Sequence, residues 1–249
     1  MLLQLCTWQE VEAYLQRSTG IIIPIGSTEQ HGPTGLIGTD AICPEAIARG
    51  VAEETDVLVA PTINIGMAQH HLGFPGSITL RPGTLLAVVR DIVDSLTRHG
   101  FDRFYFLNGH GGNIATVTAA FSEIYAQCSL GTAPPDRLPV RCKLANWWMG
   151  AQVKKLSKSL FGDAEGSHAT PSEVSLSYFA YPNAVKTAEM SPKIAPKGEI
   201  FDAADYRRRF PDGRIGSDPS LASIDAGEKL YKAAVSDTLE SYRSFLKFQ

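Results

Sequence analysis

Gly20-Ile-Ile-Ile-Pro-Ile25, running directly into Gly26-Ser-Thr-Glu-Gln-His-Gly-Pro-Thr-Gly-Leu-Ile-Gly-Thr-Asp40, is the stretch on which the reading of this chain turns. A nearly continuous β-branched run fits a strand covered on both faces, as in a parallel sheet, whereas a half-wet strand would alternate. Pro24 points to an edge or a bulge, because it has no N–H for the ladder. The polar, glycine-rich sequence that follows then leaves the strand's carboxyl end, carrying Glu29, His31 and Asp40. Residues two apart in extended backbone share a side, so Glu29 and His31 can face one point. Asp40 has to return to that point across the loop; alone, it reads equally well as the cap of a helix from about Ala41 to Glu54.

The same alternation continues outward. Thr7-Trp-Gln-Glu10 has the form of a capping box, opening a short helix through about Arg17. Val57-Leu-Val-Ala-Pro61 reads as a second buried strand, and its long tail to Ser77 carries His70 and His71; loops of that length are often functional. Thr84 can cap a helix marked by Leu85, Val88, Val89, Ile92 and Leu96, with Gly100 ending it. Phe104-Tyr-Phe-Leu107 is a third strand, entering Asn108-Gly-His-Gly-Gly-Asn113 and then a helix for which Asn113 is the expected N-cap. Gly131-Thr-Ala-Pro-Pro-Asp-Arg-Leu-Pro139 reads as a surface connection, and Val140-Arg-Cys-Lys-Leu-Ala145 as a fourth strand, with Trp147 and Trp148 just beyond. Ser191 to Ser220, rich in proline, glycine and charge, fits a lid, an oligomer contact or a mobile loop. A last helix over about Ala222 to Leu246 would close the core. Strands alternating with helices predict an α/β protein with a mainly parallel sheet flanked by helices, and in such folds ligands gather beyond the carboxyl ends of the strands. At 249 residues one domain over 1–249 is expected.

Composition excludes several classes. A formal net charge of -3 without a dense basic cluster argues against nucleic acid as a partner, and Arg207-Arg-Arg209 reads as a solvated face. The four cysteines, Cys6, Cys43, Cys128 and Cys142, lack any Cys-x-x-Cys spacing, so neither a zinc knuckle nor a disulfide framework is indicated. The N-terminus lacks a signal-peptide pattern, and no apolar run is long enough to span a bilayer. No membrane partner is expected, and a cytoplasmic location follows.

Two more clusters carry chemistry. His110 sits in a strand-to-helix turn whose glycines let backbone approach a ligand. Gly109-x-Gly111-x-x-Ile114 has isoleucine where a dinucleotide fingerprint needs its third glycine, and no phosphate-loop lysine follows. In Asp163-Ala-Glu-Gly-Ser-His-Ala-Thr-Pro-Ser-Glu173, Ser172 and Glu173 either open a helix or, for Glu173, supply a further ligand. Glu29, Asp40 and Glu173 together bring three negative charges, and His31 and His110 can bind as neutral imidazoles. That inventory nearly neutralises a pair of divalent cations, and its oxygen and nitrogen donors suit zinc most, with manganese or iron next. An aspartate between two ligand sets is the natural bridge, which assigns Asp40.

With these motifs in place the chain resembles the creatininase (creatinine amidohydrolase) family of metal-dependent amide hydrolases. The likeness rests on Gly26-Ser-Thr-Glu-Gln-His-Gly-Pro33 with Thr39-Asp40, His71-Leu-Gly-Phe-Pro-Gly-Ser77, Asn108-Gly-His-Gly-Gly-Asn113 and His168-Ala-Thr-Pro-Ser-Glu-Val-Ser175, and more weakly on Gly216-Ser-Asp-Pro219. It implies a three-layer α/β/α sandwich, often assembled as a homo-oligomer (a hexamer), with two divalent metals: Glu29 and His110 on one, His31 on the other, Asp40 bridging. His71 and Ser77 would line the substrate side, joined by Trp148 as a wall or core residue, whereas His70 reads as a surface histidine. His168, or Glu173 if it is not a ligand, would move the proton that the departing amine needs. Creatininase proper has a glutamate ligand two residues after the third motif's histidine. Gly112 stands there in this chain, so Glu173 would substitute, and creatinine itself is disfavoured as substrate. The expected activity is an amidohydrolase cleaving a linear or cyclic C–N amide bond of a small molecule by a metal-activated water. The alternatives are a deformylase of a formylamino-pyrimidine nucleotide intermediate of flavin biosynthesis and, in another class, a catalytically inactive metal-containing binding protein.

Overall fold

The computed structural model describes residues 1–132 and 138–247, so the surface connection expected over 131–139 lies mostly outside the described residues. Its sheet has four parallel strands in the order β2-β1-β3-β4: β1 (Gly20–Ile25), β2 (Leu58–Val59), β3 (Arg103–Asn108) and β4 (Arg141–Asn146). Helices α1 (Trp8–Leu15), α3 (Pro82–Thr97) and α4 (Asn113–Ser129) cover one face, and α2 (Thr39–Glu54), α5 (Ala151–Phe161), α6 (Pro171–Ala180) and α8 (Ile224–Leu246) the other. Strand pleating makes the division. Ile21, Ile23, Ile25, Phe104 and Phe106 join the first layer's core, while Ile22, Tyr105 and Leu107 join the second. This is the expected three-layer α/β/α sandwich.

β1 is central, not an edge strand, although it contains Pro24. The reason lies in the brevity of β2, which pairs with β1 only at Ile21 and Ile22. Ala60 and Ile63 donate to the carbonyls of Ile22 and Pro24, so Pro24's missing N–H faces the side on which the neighbouring strand has already ended. The order 2-1-3-4 places a reversal of connection between β1 and β3, whose last pair is Ile25 with Asn108. The Gly26 and Gly109 loops therefore emerge side by side in the crevice where such sheets bind ligands.

Two expected caps are used otherwise. α3 starts at Pro82 after Arg81, with no cap from Thr84. Asn113 is the first residue of α4, and its side chain ties loops together: it donates to Gly26 O at 2.9 Å and accepts from Met67 N at 3.0 Å. The Thr7–Glu10 capping box is present. Among the described residues, no helix is long and apolar enough to cross a membrane.

Candidate metal centre

Asp40 is the second residue of α2, behind Gly38, and not its cap. Pro44, one turn on, has no N–H to return to the Asp40 carbonyl. That carbonyl lies against the two strand-end loops: a Cβ at Gly26 would come within 2.1 Å of it, and one at Gly109 within 1.9 Å. Glycine at both positions lets the first turn of α2 press between the ends of β1 and β3, which carries the Asp40 carboxylate to the crevice.

There it meets two histidines, one oxygen to each. His31 Nε2 stands 3.0 Å from Oδ1, and His110 Nδ1 stands 2.9 Å from Oδ2. The remaining ring nitrogens face carbonyls that can only accept: His31 Nδ1 to Glu29 O at 3.0 Å and His110 Nε2 to Met67 O at 2.8 Å. Those nitrogens carry the protons, and the nitrogens facing Asp40 are left with lone pairs when the rings are neutral, the arrangement of ligating histidines. Glu173 completes one side, its Oε2 lying 4.0 Å from His31 Nε2. Its Oε1 accepts from Thr170 N at 2.6 Å in a capping box that opens α6, so the N-cap is Thr170, not Ser172. Glu29 completes the other side, with Oε2 3.3 Å from His110 Nε2. The ligand-capable atoms of Glu29, Asp40 and His110 lie within 4.8 Å of one another, as do those of His31, Asp40 and Glu173. The two groups share Asp40.

Glu29 is completely buried and neither of its carboxylate oxygens has a hydrogen-bond partner, nor does Asp40 Oδ2. Burial raises the Glu29 carboxyl above its usual range, with neighbouring Asp40 adding to the rise. For Asp40 burial is outweighed by His31 and His110, which hold it well below. Burial also opposes charge on His31 and His110, yet the carboxylates prevail and raise them to about 10 and about 9. Orphaned carboxylate oxygens and histidines with outward-tied back nitrogens make this cluster a fit for divalent metal.

A layer of polar groups stands behind it. Gln30 Nε2 lies 3.1 Å from His71 Nδ1, 3.0 Å from Gly213 O and 3.1 Å from Tyr206 Oη, while His71 Nε2 lies 2.9 Å from Glu29 Oε1. Burial and the surrounding histidines push His71 down to about 2, so it is neutral. His168 Nε2 donates to Gln30 O at 2.8 Å, leaving Nδ1 3.8 Å from Glu29 Oε1, and burial lowers its pKa strongly. Ala169, with φ 53, turns the chain between His168 and the α6 cap, and Ser217 Oγ donates to His168 O at 2.6 Å. The 191–220 segment thus closes one wall of the site. Gln30 and Tyr206 were not apparent in the sequence. Tyr206 sits on α7 (Ala203–Arg209), beside the three arginines that read, correctly, as an exposed face.

The cluster opens into a cavity of about 760 Å³ lined in part by Trp148, His70, Glu165, Tyr206, Lys154 and Lys158. His71 and Trp148 reach the lining, as does His70, against its reading as a surface residue. Ser77 does not line it; its Oγ accepts from Gln30 N at 3.2 Å. Gly112 has no room for a side chain: a Cβ would stand 2.4 Å from His110 Nε2 and 2.5 Å from Met67 O.

A family model described as "Creatininase: Creatinine amidohydrolase" matches residues 4–242. Creatinine amidohydrolase of Pseudomonas putida is 27% identical over 249 residues, covering 95% of this chain and 94% of the relative. A 3-dehydro-scyllo-inosose hydrolase of Thermotoga maritima is 28% identical over 263 residues, covering 95% of this chain and 80% of its own. A solved mutant creatininase of Zn-Zn type superposes with a TM-score of 0.82 at 25% identity, over 99% of this chain and 98% of that one.

Proposed function

Since the chain belongs to the creatininase family and is a hydrolase, we propose that it is an amidohydrolase that uses two divalent metals, zinc above manganese or iron, to cleave the C–N bond of a small-molecule amide, linear or cyclic. One observation carries this reading: His31 and His110 each tie one ring nitrogen to a backbone carbonyl and aim the other at a different oxygen of Asp40. In it, Glu29, Asp40 and His110 would hold one ion, and His31, Asp40 and Glu173 the other. Glu173 takes the place that Gly112 cannot fill, because no side chain fits at Gly112 without displacing His110. Divalent ions bound there supply Lewis acidity, polarising an amide carbonyl and making water acidic enough to attack it near neutral pH.

This chain's own residues supply the rest. His71 stands behind the Glu29 carboxylate, with Nε2 2.9 Å from Oε1, and Gln30 holds the His71 ring in place. His168 Nδ1, the one ring nitrogen of that residue without a fixed hydrogen bond, takes up the proton released in the attack and returns it to the departing amine nitrogen. Burial keeps His168 from retaining the charge, which favours that return. Trp148 walls the space for the substrate.

The same reading takes residues 1–249 as one domain and the assembly as a homo-oligomer, a hexamer by family likeness, which light scattering would report. Four free cysteines support a reducing, cytoplasmic setting. The deciding experiment combines metal analysis with turnover. Two ions per chain, lost in D40A and H110A, and release of amine, acid or formate from a panel of creatinine, hydantoins, formylated pyrimidines and simple amides are expected. A metal-loaded protein inert toward the whole panel would count against catalysis.

A further inference from the structure

We propose, resting on the amidohydrolase reading, that the substrate carries an anionic group away from its scissile amide, and that Lys154 and Lys158 of α5 bind it. α5 has the sequence AQVKKLSKSLF, with three lysines and no acid. Lys154 and Lys158 are four apart, hence neighbours on one helix face, and both line the cavity that holds the metal-binding cluster. Like charges at that spacing destabilise a helix, and here no carboxylate forms an ion pair with either lysine among the described residues. On α8 the lysines one turn from an acid are paired, Lys229 with Asp225 at 2.8 Å and Lys232 with Glu228 at 2.7 Å, whereas α5 offers its lysines no acid. Lys155, between them in sequence, does not line the cavity.

The helix end does not compete for the anion. Asp237 Oδ2 accepts from Gln152 N at 3.0 Å and from Val153 N at 3.1 Å, which already satisfies the first turn of α5. Two further carboxylates line the cavity. Glu165 is engaged by Ser172, whose hydroxyl donates to its Oε1, and Glu199 is an exposed residue of the 191–220 wall. Neither one neutralises the lysine pair. A cavity of about 760 Å³ has room for a substituent besides a small amide, and Trp148 and Met149, next to α5, give that substituent an apolar flank. The anion is a carboxylate or a phosphate, since both suit two ammonium groups one turn apart.

Two arms test this. Metal-loaded protein is assayed on N-acetyl-4-aminobutyrate and on N-acetylbutylamine, which share a scissile bond and differ in the tail's charge. The anionic amide is expected to be preferred tenfold or more in kcat/KM, chiefly through KM, with the preference lost in K154Q/K158Q and kept in K155Q. Separately, metal-free protein is titrated with glutarate and with inorganic phosphate, followed by indole fluorescence, because Trp148 lines the same wall. Whichever anion binds is expected to weaken at least fivefold in K154Q/K158Q, and the two ligands tell carboxylate from phosphate. Equal binding by wild type and the double variant, or binding of neither anion, overturns the proposal. If neither these amides nor the wider panel is cleaved but the double variant loses anion binding, the amidohydrolase reading fails and the anion site stands.

Discussion

Glu173 Oε2 lies 4.0 Å from His31 Nε2, while the other oxygen of the same carboxylate caps α6 through Thr170 N at 2.6 Å. One side chain thus serves the helix and faces the metal-binding cluster, and two substitutions separate the roles. Gln at 173 can still accept from Thr170 N, since glutamine also serves in a capping box. E173Q is therefore expected to keep its melting temperature while metal content falls from two ions toward one. T170A removes the cap hydroxyl, and about 1 kcal/mol of stability is expected to go with it, both ions remaining. Metal analysis alongside thermal melts checks both. Two ions retained in E173Q would remove Glu173 from the ligand set.

Gln30 stands one residue from two proposed ligands, yet its amide works in the layer behind them. Its Nε2 meets His71 Nδ1 and Gly213 O, and its Oε1 accepts from Gly32 N at 2.8 Å. Q30A frees the ring of His71 and, through it, Glu29. Groups that orient metal ligands typically contribute about 10–100-fold in activity or affinity, and a loss of that size in kcat is expected at unchanged metal content. A lowered melting temperature of metal-free Q30A together with loss of the metals would instead assign Gln30 to the integrity of the fold.

The strands and the candidate cluster were legible because they depend on local pattern. The Ile21–Ile25 and Phe104–Leu107 runs announce buried parallel strands; Glu29, His31 and His110 sit on the loops that leave them, and Asp40 in the first turn of the helix that follows the first loop. Glu173 was legible only as a choice between cap and ligand; one of its carboxylate oxygens caps α6 and the other faces the cluster. What escaped the sequence depends on contacts between distant segments. Gln30 gains its place from His71, Tyr206 and Gly213, and nothing in its neighbourhood signals them. Asn113 has the residue type of a cap but is used to fasten the Gly26 and Met67 loops, a tertiary demand that overrides the local preference. Lys154 and Lys158 look like any solvated helix face until the cavity beside them is seen.

Glycines of one motif should respond in opposite ways. A Cβ at Gly109 would stand 1.9 Å from the Asp40 carbonyl oxygen, a backbone atom that no rotamer change can move aside. A Cβ at Gly111 would meet nothing within 4 Å. G109A therefore has to shift the first turn of α2 and with it the Asp40 carboxylate, at about 1–3 kcal/mol or more, the usual scale of overpacking. Both metals should weaken together, since Asp40 is shared. G111A is expected to stay within about 0.5 kcal/mol of wild type and to keep its ions. Melting curves and metal stoichiometry on the two variants check this; a metal-replete G109A would show that Asp40's position is not set by that contact.

Proton release should accompany metal binding. Without metal, His31 and His110 are raised to about 10 and about 9 by the carboxylates that outweigh their burial, so at pH 7 both carry an extra proton. A ligating imidazole must be neutral, and filling the two positions should therefore release about two protons from these rings. Affinity consequently rises with pH up to about pH 10. The stability of the metal-free protein runs the other way. A folded pKa raised above the unfolded value near 6.5 gives stability that is fully present below that value and is lost as pH rises through about 9 to 10. The metal-free melting temperature should accordingly fall between pH 7 and pH 10, with the metal-loaded protein free of that loss because cations replace the protons. Calorimetric titration with zinc at pH 7 in two buffers of different ionisation enthalpy measures the release directly. Identical heats in the two buffers would show that no protons leave, and the histidines would then not be the groups that the metal displaces them from.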